Sequence, residues 1–242
     1  MNQDWSNLKK NGWIFLNTDH THYEWIVEAK KQLETKFHQK LFDCKDLRCG
    51  STWFVGTNFL DNSSNGNIGT KLLSRKIFNN ISTKFGNNIK YWDKGQVSIC
   101  WPGYPRKDDK ETINSFNFRI KRFASHIDGI IPFGKKNRRF AKEFHAFILG
   151  FPLQNNCLES APLVLWEGSH KIFRNFFKEI YEGITSDKIS SIDITELYSE
   201  CRKKVFKNCE VKKITPQFKQ PYFCLLYTSP SPRDRQKCRM PS

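Results

Sequence analysis

The spacing of apolar residues predicts that the first ninety residues are mainly helical. Apolar side chains recur every three or four positions behind Asn17, Thr18 and Asp19, which are good helix-capping residues. A second helix is predicted over residues 72–85, with Gly86 as its end. The apolar positions that define these helices are Ile26, Ala29, Leu33 and Phe37 in the first and Ile77, Ile81 and Phe85 in the second.

After Lys90 the pattern changes to short apolar runs separated by turn residues, which is typical of β-strands. Residues 116–129 form a longer stretch that we predict to be extended. Two helices interrupt the strands, one over residues 172–181 and one over residues 195–207 behind Asp193. The predicted strands are residues 96–101, 144–151, 163–166 and 211–214 and those from Tyr222 onward. This order predicts an α+β fold of mainly β character, a jelly-roll barrel wrapped by helices.

Within the predicted extended stretch, His126 and Asp128 are separated by one residue. Because side chains alternate along a strand, both would project from one face and Ile127 from the other. An imidazole beside a carboxylate is two-thirds of the facial triad that binds Fe(II) and leaves the opposite positions open. The third ligand is normally a second histidine from a later strand. The alternative is a histidine at a strand end, near an aspartate in the turn before Gly129.

A net charge of +16 bears on the partners that the sequence favours. It is compatible with a polyanionic partner: nucleic acid, an anionic membrane surface or a substrate carrying phosphates. The alternative is bulk composition, because the lysines are scattered along a chain rich in Lys, Asn and Ile. The densest basic cluster, residues 135–139, is typical of a solvated face. Bulk composition is the interpretation that we favour, and nucleic acid is not the expected partner.

The apolar runs and the cysteines bear on the compartment. No apolar run has the length needed to span a bilayer, and residues 1–5 lack the basic-then-apolar pattern of a signal peptide. Spacings such as Cys44–Cys49 and Cys201–Cys209 match no zinc pattern. We therefore interpret the cysteines as reduced thiols in packing roles and expect a cytoplasmic protein without a membrane span.

Four segments keep the order and spacing of motifs from one known family. They are residues 96–105 (QVSICWPGYP), 126–129 (HIDG), 145–150 (HAFILG) and 162–170 (PLVLWEGSH). From about Trp13 to Tyr222 the chain resembles the phytanoyl-CoA dioxygenase-like family of Fe(II)/2-oxoglutarate-dependent oxygenases, in particular its bacterial members of unassigned substrate. The resemblance implies a double-stranded β-helix fold, with His126 and Asp128 as iron ligands.

The resemblance also implies the activity and the roles of the other histidines. It implies a dioxygenase that hydroxylates a small organic substrate with Fe(II), 2-oxoglutarate and O2, and the basic balance suits an acidic or CoA-linked substrate. His170 lies where the family has a structural turn, so we do not expect it to bind the metal. His145 lies in an apolar strand and is interpreted as a buried, hydrogen-bonded histidine. His20 and His22, at the predicted start of a helix, are assigned no role.

The family pattern next expects a strand reading Pro-Tyr-aliphatic-aliphatic-His-Arg. Residues 221–223 begin it, but no histidine follows His170. We interpret residues 224–242 as a non-native tail that resembles sequencing-adapter read-through; the alternative is an encoded, disordered Ser/Pro/Arg tail. The third ligand and the arginine that anchors 2-oxoglutarate would then lie beyond the truncation, and this chain would be inactive.

The predicted organisation has three parts: a helical part over residues 1–90 that packs on the barrel, an incomplete double-stranded β-helix over residues 91–223 whose last strands are missing, and the tail. A helical insert occupies about residues 171–207 of the barrel part. Two other classes remain open, a non-catalytic barrel that binds an anion or nucleic acid and an iron-independent cupin-like structural protein.

Overall fold

The computed structural model describes residues 4–85, 92–123 and 125–226, and in this part the protein is a mixed α+β structure. The helices are α1 (Ser6–Asn11), α2 (His20–His38), α3 (Arg75–Phe85), α4 (Ile113–Lys121), α5 (Ser169–Ile180), α6 (Ser186–Ile189) and α7 (Thr195–Asn208). The strands are β1 (Trp13–Phe15), β2 (Leu47–Arg48), β3 (Trp53–Gly56), β4 (Val97–Cys100), β5 (Ile130–Phe133), β6 (Arg138–Ala141), β7 (Phe147–Gly150), β8 (Leu163–Glu167), β9 (Glu210–Ile214) and β10 (Tyr222–Leu225). The α+β class predicted from the sequence is confirmed.

The strands form small antiparallel sheets. One sheet has the order β1-β10-β7 and another β2-β3-β4, while β5 pairs with β6 and β8 with β9. Phe223 in β10 pairs with Ile14 on one side and Leu149 on the other. No sheet formed by the described residues is closed. β10 therefore connects the beginning of the chain to its middle, and no barrel closes among these strands.

The larger hydrophobic core, which we call the first cluster, contains residues from both halves of the chain. Helix α2 begins behind Asp19, whose carboxylate accepts the backbone N–H of His22 at 3.2 Å. Within this cluster the ring centroids of Phe147 and Phe223 are 4.6 Å apart. Its largest fully buried members are Trp25, Leu8, Ile26, Phe54, Ile68, Ile77, Ile81, Phe147 and Phe223. The helices predicted in the first ninety residues are confirmed, with α3 beginning three positions later than expected.

The second cluster is built mainly from the helices predicted between the strands. Helix α5 contributes Phe173 and Phe177 from one face, and α7 contributes residues three or four positions apart, as amphipathic helices do. Its buried members are Ile127, Ile130, Ala141, Phe173, Phe177, Tyr181, Ile189, Ile194, Tyr198, Cys201 and Val205. Both predicted helices are confirmed within a few residues at their ends.

The prediction that residues 116–129 are extended is wrong. Helix α4 occupies the first part of this stretch and begins behind Thr112, whose side-chain oxygen accepts the backbone N–H of Ser115 at 3.2 Å. The apolar side chains alternate with polar ones, which imitates a strand, but no residue of α4 is buried. The guanidinium of Arg119 reaches back to Glu111 with N–O distances of 3.0 and 2.7 Å. Capping and a charged pair, rather than burial, therefore determine this helix.

Two further findings concern the ends of predicted segments. Residues 224–226, assigned to the tail, continue the sheet: Leu226 donates its N–H to the carbonyl of Ala146 at 2.9 Å. Residues 227–242, and the predicted helix end at Gly86, lie outside the described residues. None of the helices described here has the length and apolar character needed to cross a bilayer.

Candidate metal centre

His126 and Asp128 lie between α4 and β5, outside any strand. Nε2 of His126 is 3.1 Å from Oδ1 of Asp128, and 64% of the histidine side chain is exposed. Ile127 between them is buried in the second cluster. The backbone thus presents the two polar side chains together and the apolar one away from them. This is the alternation that the sequence predicts, achieved without a strand.

Three side chains contact the segment that leads into this pair, two of them at its backbone. Trp166 of β8 donates its indole N–H to the hydroxyl of Ser125 at 2.6 Å. Arg202 of α7 donates to the carbonyl of Ser125 at 2.8 Å. The N–H of Ile127 donates to the hydroxyl of Tyr198, also of α7, at 3.2 Å. The helical insert therefore fixes the backbone on both sides of the candidate histidine.

These supporting residues are not among the site residues predicted from the sequence. Tyr198 and Arg202 are four positions apart, so they lie on the same face of α7. That spacing indicates that both side chains can contact the same neighbouring segment. Nothing in the sequence shows that the neighbour is Ser125 or Ile127, because the contacts join positions more than seventy residues apart.

Gly129 makes a turn directly after the pair. Its φ is +87°, and a Cβ atom there would lie 2.2 Å from the carbonyl oxygen of Glu143 and 3.2 Å from Cδ2 of His145. The carbonyl of Gly129 accepts the N–H of Lys142 at 2.9 Å. Only glycine combines this backbone conformation with so close a contact. The turn brings Asp128 next to the segment that leads into β7.

The electrostatics of the pair favour an ionised carboxylate. Burial raises the pKa of Asp128, but the hydrogen bond from His126 and the positive charge that this histidine can carry outweigh that effect. His145 acts in the same direction, so the pKa of the Asp128 carboxyl lies below its ordinary value. At neutral pH Asp128 is therefore an acceptor that can bind a cation.

The separation of the two donors fits a shared metal ion. Two donors about 2.1 Å from one ion and at right angles to each other are about 3.0 Å apart, and the observed separation is 3.1 Å. One imidazole nitrogen and one carboxylate oxygen also suit Fe(II). Within residues 4–85, 92–123 and 125–226, however, no group of three His, Cys, Asp or Glu side chains could hold a metal ion. The described residues therefore bring together two possible donors, one imidazole nitrogen and one carboxylate oxygen.

The position at which the family motif has its histidine lies at the end of β10. Counted from Pro221, the motif places that histidine at Leu225, which pairs with Phe147 in the sheet and packs against the first cluster. The hydrogen bond from Leu226 to Ala146 continues the pairing by one residue. The end of β10 thus lies beside the segment whose histidine contacts the turn after the ligand pair.

His145 and His170 are buried and hydrogen-bonded. Nε2 of His145 is 3.0 Å from Oε2 of Glu143, and the side chain is 1% exposed. His170 lies in the first turn of α5, which follows Gly168 in its left-handed conformation. Nε2 of His170 is 3.2 Å from the carbonyl of Lys9, and burial lowers the pKa of this imidazole. Each of the two imidazoles thus contacts a described residue of the fold through Nε2.

The histidines of α2 differ strongly from each other. His22 is fully buried, with Nε2 3.1 Å from the carbonyl of Lys219. Burial lowers the pKa of His22 to about 4, because the charged ring is disfavoured there. His20 is exposed and lies 3.5 Å from a carboxylate oxygen of Glu24. Neither ring takes part in the candidate centre.

The seven cysteines of the described residues are free thiols, and three of them are buried. Burial raises the pKa of Cys201 to about 11 and that of Cys224 to about 12. A protonated, buried thiol is a packing residue rather than a nucleophile or a metal ligand.

Comparisons with known proteins give no relative for this chain. No protein-family model, no curated protein and no solved structure matches it.

Proposed function

We propose that the protein is an Fe(II)/2-oxoglutarate-dependent dioxygenase that hydroxylates a small organic substrate. The observation that carries this proposal is the contact between His126 and Asp128 at 3.1 Å, and the resemblance expects the third ligand at the end of β10. In this proposal the small antiparallel sheets belong to a double-stranded β-helix that the described strands do not close. The proposed location is the cytoplasm, as the sequence predicts.

The described residues have defined tasks in this proposal. His126 and Asp128 would hold the iron, and the chemistry that the bound iron supplies is the oxidation of a C–H bond with O2 and 2-oxoglutarate. Tyr198 and Arg202 keep the ligand backbone in place, as second-layer groups do in metal sites. The exposed side of the imidazole leaves the approach to the metal open.

The resemblance assigns the third ligand to the motif that begins at Pro221, and the arginine that anchors 2-oxoglutarate to a strand beyond the truncation. Leu225 stands at the position of the motif histidine here. The metal then lacks an imidazole, and the distal carboxylate of 2-oxoglutarate lacks a guanidinium. We therefore propose that this chain as given has little activity and that the oxygenase requires both groups.

The experiment begins with sequencing the genomic locus past the codon for Phe223 and expressing the protein that it encodes. We expect succinate to form from 2-oxoglutarate only when Fe(II) and O2 are both present, and we expect Asp128→Ala to abolish it. Asp187→Ala removes an exposed carboxylate of α6 and is the matched control, with activity unchanged. A locus that encodes residues 224–242 as given, together with no succinate from its product, would refute the proposal.

A further inference from the structure

Two arginines near the candidate metal centre make no ion pair with a described residue, in contrast to Arg119 and Arg138. Arg119 pairs with Glu111 through two nitrogens, and Arg138 pairs with two carboxylates. Arg122 and Arg202 make no ion pair within the described part of the chain, although both are partly buried. Partly buried charges are normally paired, so these two require an explanation.

Both guanidinium groups lie against one aromatic ring. Cζ of Arg122 is 4.6 Å from the ring centroid of Phe206, and Cζ of Arg202 is 5.3 Å from it. Arg122 also lies 4.5 Å from the centroid of Phe118. Each ring face attracts a cation, but two positive charges near one ring repel each other. The ring contacts therefore leave positive charge that an anion would neutralise.

Arg122 also carries a hydrogen-bond donor that lacks an acceptor among the described residues. Its Nε atom is buried and has no hydrogen-bond acceptor among the described residues. A buried donor without an acceptor destabilises a protein unless a ligand or water satisfies it. The planar donor fork of arginine matches the oxygens of a carboxylate or a phosphate. An anion at this place would satisfy both the charge and the donor.

The surroundings of the arginines are basic and aromatic. Nζ of Lys213, on β9, is 5.5 Å from the ring of Phe123. Phe118 and Phe123 are 56% and 42% exposed, so they present apolar surface beside the cations. Arg202 donates to the carbonyl of Ser125, which places the cluster one residue from His126 in the chain.

We propose that Arg122, Arg202 and Lys213 bind the phosphate group of a small organic phosphate whose apolar part packs on Phe118 and Phe123. Three cations suit a phosphate monoester, which carries a charge of about −1.5 to −2 at neutral pH, better than a single carboxylate. The site uses none of the candidate metal ligands. Its test therefore requires no metal. A negative result for the phosphate site would leave the proposed oxygenase function untouched, and the reverse also holds.

Calorimetric titration of metal-free protein with phenyl phosphate at low salt tests this site. Inorganic phosphate lacks the apolar part and benzoate lacks the second charge, so each is expected to bind about tenfold more weakly. Arg122→Gln removes the charge and the donor fork and should weaken phenyl phosphate binding about tenfold or more. Among the described residues this side chain contacts the rings of Phe118 and Phe206, so circular dichroism should show an unchanged fold.

The matched control is Arg48→Gln, which removes an arginine that lies over Trp53 at 5.8 Å in the sheet β2-β3-β4. Phenyl phosphate binding should be unchanged. Equal weakening by the two variants would mean that phosphate responds to net charge alone and would overturn the proposal, as would the absence of saturable binding. Much tighter binding of a single-stranded oligothymidylate, with a steep salt dependence, would replace the small-molecule site with a nucleic-acid surface.

Discussion

The two hydrophobic clusters of the protein are assembled in different ways. The first cluster depends on β10, which pairs with β1 near the beginning of the chain and with β7 in its middle. The second cluster consists largely of side chains from α5, α6 and α7, which follow one another in the sequence. Local sequence pattern therefore predicts most of the second cluster, whereas the first cluster depends on pairing between distant parts of the chain.

The candidate metal centre depends on both clusters. Ile127 anchors the ligand pair in the second cluster, and Tyr198 of the same cluster binds its backbone. The turn at Gly129 contacts His145, which precedes a strand of the first cluster. In the proposed function the third donor comes from β10, a strand of the first cluster, while the helical insert holds the pair from the second cluster.

The largest expected effect tests whether the two clusters unfold together. Phe223→Ala and Phe177→Ala each remove a fully buried ring, one from each cluster. Each should lower the free energy of unfolding by about 3–5 kcal/mol. Hydrogen bonds such as that from Trp13 to Glu167 connect β1 to β8, so we expect one urea transition in both variants. Two separate transitions in Phe177→Ala would show that the clusters unfold independently.

Acid should weaken the first cluster through His22. Its folded-state pKa of about 4 lies below the ordinary 6.5, so the unfolded state binds the proton first as the pH falls. The stability contributed by the neutral ring is complete above pH 6.5 and is lost between about 6.5 and about 4, by about 3 kcal/mol in total.

Urea unfolding at pH 7 and pH 5 measures the part of this loss that is complete at pH 5, and His22→Gln should reduce the difference in stability between the two pH values. His20→Gln changes an exposed histidine of the same helix and should leave the difference unchanged. An equal pH dependence in all three proteins would contradict the assignment to His22.

Tyr198→Phe should weaken both the second cluster and metal binding. It removes the acceptor for the N–H of Ile127 and should lower the free energy of unfolding by about 1–3 kcal/mol. Metal affinity should fall because the ligand backbone is less well fixed.

Tyr181→Phe is the matched control in the same cluster. The hydroxyl of Tyr181 is buried without a hydrogen-bond partner among the described residues, so its removal should be neutral or stabilising. If the two variants had equal metal affinity, Tyr198 would have no positioning role.

The smallest expected effect concerns the connection between β1 and β8. Trp13→Phe removes the indole N–H that donates to Glu167 at 2.7 Å, and the free energy of unfolding should fall by about 1 kcal/mol. Thermal unfolding measures this change. A loss as large as that of Phe223→Ala would mean that this contact, rather than the two interiors, determines stability.

The sequence predicted elements well where local signals agree. Asp19 caps α2 and the Phe173–Phe177 face defines α5, because capping and amphipathic spacing act over a few residues. The hydrophobic pattern gave a wrong prediction at α4, where alternating apolar residues imitate a strand but none of them is buried. The hydrophobic pattern predicts burial, and α4 is determined by a cap and by the pairing of Arg119 with Glu111.

The candidate site was predictable only in part. The contact between His126 and Asp128 could be predicted because the residues are neighbours in the chain. Tyr198 and Trp166 could not, because their contacts with this segment depend on the tertiary structure. The role of position 225 likewise requires the register between β10 and β7.

Metal titration of variants at the end of β10 tests the central claim, that position 225 shares a metal site with His126 and Asp128. Leu225→His should tighten anaerobic Fe(II) binding by about tenfold or more, because a third donor is added. Leu226→His is the matched control, since a shift of one residue turns the side chain to the other face of the strand. Adding Asp128→Ala to Leu225→His should remove the gain. Equal affinity for the two histidine variants, or a gain that survives Asp128→Ala, would contradict the account.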